Sequence, residues 1–137
     1  MARELLLDTG PFVALVDRSE ANHADCVAVL EDWSGLIVTT EAVLTETLQL
    51  VGPSWDHQQA CLAFILRGAV TLVPTSETSI RRVATLMGQY EDVPMDFADG
   101  TVVALGEDLG TGHVFTLDRQ GFSAYRLNGK MGFEIYP

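Results

Sequence analysis

The chain has 137 residues, 47% hydrophobic and 20% charged, which suits one soluble globular domain with a buried core. No apolar stretch approaches the roughly 18 residues a membrane helix needs, and three leucines before Asp8 are too few for a secretory leader, so a cytoplasmic location is expected. Eight Lys+Arg against nineteen Asp+Glu leave a net charge of −11, which argues against gripping nucleic acid by phosphate neutralisation alone, unless bound cations reverse the field around some of the acids.

In chain order, Leu5, Leu6 and Leu7 form an apolar run that Thr9, Gly10 and Pro11 break at once, as a buried strand feeding a turn would. Pro11 at a first helical position, then Phe12, Leu15 and Val16, predicts a helix. A second helix is predicted over 22–33 and a strand over 36–38. Thr39 and Thr40 then cap a helix to about residue 50, with Glu41 in its first turn, where the dipole favours an acid. Gly52, Pro53 and Ser54 end that helix, and 57–67 is helical again. A strand over 70–73 is closed by Pro74, and Thr75 or Ser76 starts a helix to about residue 90. After a loop at Asp92, Val93 and Pro94, a helix over 96–108 ends at Gly110 and Gly112. A fourth strand is predicted over 113–117 and a fifth over 133–136.

Short apolar strands alternating with helices predict an α/β fold: a three-layer α/β/α sandwich with a mostly parallel central sheet, in one domain over 1–137. In such sheets ligands bind beyond the carboxyl ends of the strands. Cys26 and Cys61 stand singly in helical stretches and His23, His57 and His113 are scattered, so buried thiols are expected rather than a zinc site.

Asp8 follows the first strand and Asp118 follows the fourth, so parallel strands put both on one rim. Each has an ordinary reading as a turn residue. Glu46 has Ala42, Val43 and Leu50 at helical spacing around it, which predicts a carboxylate on the stripe facing the sheet. A buried carboxylate needs a partner; a metal is one, an ion pair with Arg81 or Arg82 another. Asp96 reads as a helix N-cap and Asp99 as a first-turn acid, although Val102 and Val103 place Asp99 beside the buried stripe, with Asp96 at the edge. Four converging carboxylates repel and raise one another's pKa values unless a hard divalent cation, Mg²⁺ or Mn²⁺, joins them. Such a site suits phosphodiester hydrolysis.

These residues resemble the PIN-domain ribonucleases, especially the VapC-type toxins of bacterial toxin–antitoxin pairs. The resemblance rests on Leu6-Leu7-Asp8-Thr9-Gly10-Pro11, Val43-Leu44-Thr45-Glu46, Met95-Asp96-Phe97-Ala98-Asp99 and Phe115-Thr116-Leu117-Asp118-Arg119, in family order across nearly the whole chain. It implies a PIN-like fold and Mg²⁺- or Mn²⁺-dependent endonucleolytic cleavage of RNA. It also implies metal-holding catalytic roles for Asp8, Glu46, Asp99 and Asp118, with Thr9 and Thr116 as supporting hydroxyls. A homodimer and an inhibiting cognate antitoxin are implied as partners. Gly100 stands where the family usually has Ala, and at such a position Gly costs a helix about 1 kcal/mol; Gly106 weakens the same helix. Arg119 and Arg126, near Lys130, are the candidate RNA contacts, few in number.

Trp33 and Trp55 fall at predicted helix boundaries and are expected to pack, and the run from Ala60 to Leu66 is expected in the core. Other acid-rimmed phosphoryl-transfer folds fit less well. A haloacid-dehalogenase-like phosphatase wants an Asp at position 10, where Gly stands, and a receiver domain wants a Lys late in the sheet, where the chain has only Lys130. A P-loop NTPase wants a G-x-x-x-x-G-K stretch, which is absent. A protein-binding module of the same fold, weak in catalysis, remains as the non-enzyme alternative.

Overall fold

In the computed structural model, which describes residues 3–137, β1 (Leu5–Leu7) is buried along its whole length and sits at the centre of a five-stranded sheet. Its neighbours are β2 (Ile37–Thr40) and β4 (His113–Phe115); β3 (Thr71–Val73) and β5 (Glu134–Tyr136) form the edges, in the order β3-β2-β1-β4-β5. All four pairings are parallel, so the expectation of a mostly parallel sheet is met in full. Strands flanked on both sides can be apolar throughout, which is why three consecutive leucines make β1.

The connections run outward from β1 to β2 and β3 through α1 (Thr9–Val16), α2 (His23–Asp32), α3 (Glu41–Leu50) and α4 (Trp55–Leu66). The chain then crosses back through α5 (Glu77–Gln89) and α6 (Phe97–Leu109) to β4, and through α7 (Arg119–Ala124) to β5. Right-handed crossovers in opposite directions place the two groups of helices on opposite faces. Accordingly α1 packs on α2, α3 and α4, while α5 packs on α6. The strand order reverses between β1 and β4, and a crevice opens at the carboxyl ends of strands where that happens.

Several boundaries differ from expectation. The helix after β1 starts at Thr9 with Asp8 as its N-cap, so Pro11 lies within the first turn. Capped by Ser54, α4 begins two residues before the predicted start, which leaves Trp55 in the first turn and 61% exposed; it does not pack. Leu66, at the end of the run expected in the core, is also exposed, although Cys61 is buried. Trp33 does pack, against His113 and Tyr136, and its indole N–H donates to the Arg3 carbonyl. The fourth strand ends at Phe115 because Thr116 and Leu117 turn toward α7, a helix the sequence reading did not foresee.

The glycines of α6 have a reason in packing. A β-carbon at Gly100 would stand 2.7 Å from Val83 Cγ1 of α5, and one at Gly106 would stand 2.9 Å from Leu6 Cδ1. Both glycines let α6 lie close to its neighbours, which offsets their low helix propensity. Cys26 and Cys61 are free and buried, and burial pushes both thiols up to about 11. Among the described residues no helix is long and apolar enough to cross a membrane.

Candidate active site

Asp8 leaves β1 at the reversal point and is only 6% exposed. Its Oδ2 accepts the Thr116 hydroxyl at 2.7 Å, and the Thr9 N–H also donates to the carboxylate. These bonds favour the charged form, yet burial outweighs them. Helped by the nearby charges of Asp118 and Glu46, burial pushes the carboxyl up to about 6. Thr116 is itself buried, and its oxygen accepts the Asp118 N–H at 3.0 Å, so one hydroxyl ties the end of β1 to the turn after β4.

Asp118 is the N-cap of α7, its Oδ1 accepting the Gly121 N–H at 3.0 Å. A β-carbon at Gly121 would stand 2.4 Å from Asp118 Oδ2, so glycine is what admits the carboxylate there. Asp96 and Asp99 form a reciprocal capping box at the start of α6: the Asp99 N–H donates to Asp96 Oδ1 at 2.8 Å, and the Asp96 N–H to Asp99 Oδ2 at 3.2 Å. The N-cap role expected for Asp96 is therefore present. The Asp99 carboxyl is pushed up to about 8, first by burial and then by the charges of Asp8, Asp96 and Asp118.

Glu46 requires a correction. It is half-buried on α3, not on the face that packs; the buried positions are Val43 and Thr47, one residue further round, and Leu50 is 64% exposed. Glu46 instead lines a cleft of about 440 Å³ with Asp96 and Phe97 at the start of α6. A second cleft, about 530 Å³, lies beside Asp118 between Pro94 and Gln120. Both volumes are in the range of ligand-binding clefts. The buried hydroxyls of Thr40 and Thr101 bond at 2.8 Å and hold the start of α3 to α6.

The arginine alternative for Glu46 is not realised. Arg81 pairs with Glu77, and Arg82 with Glu107. Among the described residues no ion pair involves Asp8, Glu46, Asp99 or Asp118. Arg119 bonds the Pro137 carbonyl, and Arg126 bonds the carbonyls of Ser123 and Tyr125.

Among the described residues no three His, Cys, Asp or Glu side chains close on a common point tightly enough to hold an ion as they stand. Like charges without a counterion splay, and Asp99 and Asp118 each give one oxygen to backbone N–H groups. The donor set is nonetheless all oxygen, anionic and without a cation of its own, which suits a hard divalent ion. Thr9 Oγ1, beside Asp8, is buried with no hydrogen-bond partner, a second sign of an incomplete polar site. Sequence reasoning missed Tyr125, which is fully buried with its hydroxyl directed at Asp99, because the helix whose carboxyl end it caps was not foreseen.

A family model described as PIN domain matches residues 5–127. The chain is 28% identical over 135 residues to Ribonuclease VapC26 of Mycobacterium tuberculosis, covering 97% of this chain and all of that protein. Among solved structures it is similar to Mycobacterium tuberculosis VapC20, described as a sarcin-ricin loop cleaving toxin. That match has a TM-score of 0.81 at 18% identity and covers 97% of this chain and 99% of that one. It is also similar to VapBC2 from Rickettsia felis bound to a DNA fragment from their promoter, with a TM-score of 0.69 at 14% identity over 98% and 99% of the two chains.

Proposed function

The chain belongs to the PIN-domain family, and from that premise we propose that it is a metal-dependent endoribonuclease, the toxin of a toxin–antitoxin pair. One observation carries the catalytic reading: Asp8, Asp99 and Asp118, with Glu46 beside them, gather at the reversal point of the sheet, the carboxyls of Asp8 and Asp99 are raised, and among the described residues no arginine or lysine pairs with any of the four. The ribonuclease relative over nearly the full chain supports RNA as the substrate. The likeness to VapBC2 supports a cognate antitoxin as partner. A homodimer and a cytoplasmic location belong to the same reading.

In this reading Asp8, Asp99, Asp118 and Glu46 hold Mg²⁺ or Mn²⁺. When bound, the ion supplies charge stabilisation at the phosphate and a more acidic water. The chain's own part is orientation. Thr116 fixes Asp8 by a direct hydrogen bond, Asp96 fixes Asp99 through the capping box, and Gly121 holds one oxygen of Asp118. The clefts lined by Glu46 and by Asp118 give an RNA strand a path past the acids, and Arg119 and Arg126, which here bond backbone carbonyls, would have to release them to meet its backbone.

The test is incubation of the purified protein with structured RNAs, including a sarcin-ricin hairpin, in Mn²⁺ or in chelator. Discrete cleavage that requires the metal and disappears in Asp8→Asn is expected. Cleavage that survives chelation would overturn the mechanism. The net charge of −11 favours the second reading, a protein-binding module of this fold; an absence of cleavage on every RNA, with antitoxin binding intact, would establish it instead.

A further inference from the structure

Tyr125 is the largest fully buried side chain of the described residues; its ring belongs to the hydrophobic core, but its hydroxyl reaches out of that core to Asp99. Its ring is wedged edge-on by Tyr90 at 5.1 Å and Phe122 at 5.0 Å between centroids. The Tyr90 hydroxyl in turn accepts the Arg126 N–H at 2.9 Å, so the ring's surroundings are pinned to the backbone just past α7. The Tyr125 hydroxyl donates to Asp99 Oδ2 at 3.4 Å. A β-carbon at Gly121 would stand 3.1 Å from that same hydroxyl and 2.4 Å from Asp118 Oδ2, so the hydroxyl and the second carboxylate face one bare glycine from two sides.

Asp99 Oδ2 therefore receives two donors, the Asp96 N–H and the Tyr125 hydroxyl, while among the described residues Oδ1 receives none. Two donors on one oxygen set the rotation of the carboxylate and leave the other oxygen free. An aromatic ring packed for its bulk alone would not need a hydroxyl buried against three acids, where desolvation makes an unmade hydrogen bond costly.

We propose that Tyr125 is a positioning residue of the metal site: its hydroxyl clamps Oδ2 of Asp99 so that Oδ1 is presented toward Asp8 and Asp118. This rests on the metal-dependent reading above and adds to it a partner that fixes a ligand's orientation. Supporting partners of this kind contribute roughly 10–100-fold to metal affinity.

The experiment is a Mn²⁺ titration of wild type, Tyr125→Phe, Tyr90→Phe and Asp8→Asn, read both by the rise in thermal midpoint and by electron paramagnetic resonance of free Mn²⁺. Tyr125→Phe keeps the ring and its packing. The expected result is an unchanged metal-free midpoint, Mn²⁺ affinity lower by about tenfold, and cleavage restored at saturating Mn²⁺. Tyr90→Phe should titrate like wild type, since its hydroxyl serves the backbone. If Tyr125→Phe binds Mn²⁺ as wild type does, the positioning role is overturned and the metal site stands. If wild type itself binds no Mn²⁺, or Asp8→Asn binds it equally well, the metal reading fails and this proposal fails with it. Should Tyr125→Phe be destabilised without metal, Tyr125→Trp is no remedy, and the affinity of the folded fraction by resonance decides between the same two results.

Discussion

The two ends of α6 carry acids in opposite circumstances. At its carboxyl end Glu107 accepts from Nε and Nη2 of Arg82, at 2.7 and 2.9 Å, and from the Asn128 N–H at 2.7 Å, and its carboxyl is held below its usual value chiefly by the Arg82 hydrogen bonds. At the amino end Asp99 has a tyrosine hydroxyl, one backbone N–H and three neighbouring acids, and its carboxyl is pushed up to about 8. The helix dipole favours an acid at the amino end, so the dipole is not what raises Asp99. Where this chain needs an acid for structure it supplies the cation itself. Where it leaves the acid without one, as at Asp99, the proposed reading assigns the missing positive charge to a bound divalent cation.

Substitutions at the two ends should differ most in activity. Asp99→Asn and Asp8→Asn should each reduce RNA cleavage beyond the roughly 10–100-fold that losing a supporting partner costs, while Arg82→Met leaves cleavage per folded molecule unchanged; initial rates on a structured RNA check this. Stability should run the other way. Arg82→Met strands Glu107, whose side chain is only 8% exposed, and should cost about 2 kcal/mol in denaturant unfolding, the partial exposure of Arg82 holding the loss below that of a fully buried pair. Asp99→Asn should stabilise the metal-free protein, since it removes a charge the fold disfavours.

Acidity should separate the two ends as well. Asp8 and Asp99 have folded values above their ordinary ones, so what they contribute to stability is complete below about 3.8 and is lost as the pH rises through about 6 and about 8. Glu107 is shifted down, so its contribution is present above about 4.5 and is lost only as the pH falls further. The thermal midpoint in chelator should therefore fall between pH 5 and 9, and Mn²⁺ should flatten that slope. A metal-free midpoint that climbs over the same range would break the contrast. The smallest effect is expected at Gly121→Ala, whose new methyl group would displace Asp118 Oδ2 and crowd the Tyr125 hydroxyl while leaving the backbone N–H bond to Asp118 Oδ1 in place, and should weaken Mn²⁺ binding a few-fold by titration.

Most of the architecture was legible because buried parallel strands announce themselves as short apolar runs, and Leu5–Leu7 has no other sensible place. Asp8 and Asp118 followed from that, since each comes directly after its strand or the turn closing it. Glu46 was misplaced because Leu50 served as a marker for the inner face, whereas the helix buries Val43 and Thr47 and ends with Leu50 in solvent. Helix α7 escaped notice because it is six residues long and carries Gly121 in its first turn, so neither length nor propensity marks it. Tyr125 was lost with it. Its significance is a matter of three-dimensional neighbours, the acids of α6 and the ring of Tyr90, which no spacing along the chain encodes.

The proposed mechanism requires four acids to share one foreign cation. Crystals soaked in Mn²⁺ and measured for anomalous scattering test that directly. A peak at the carboxyl ends of β1 and β4, with carboxylate oxygens of Asp8, Asp99 and Asp118 at bonding distance and Glu46 direct or through water, is the predicted result. A map with no peak there, or with Mn²⁺ bound only at other surface acids, would contradict it.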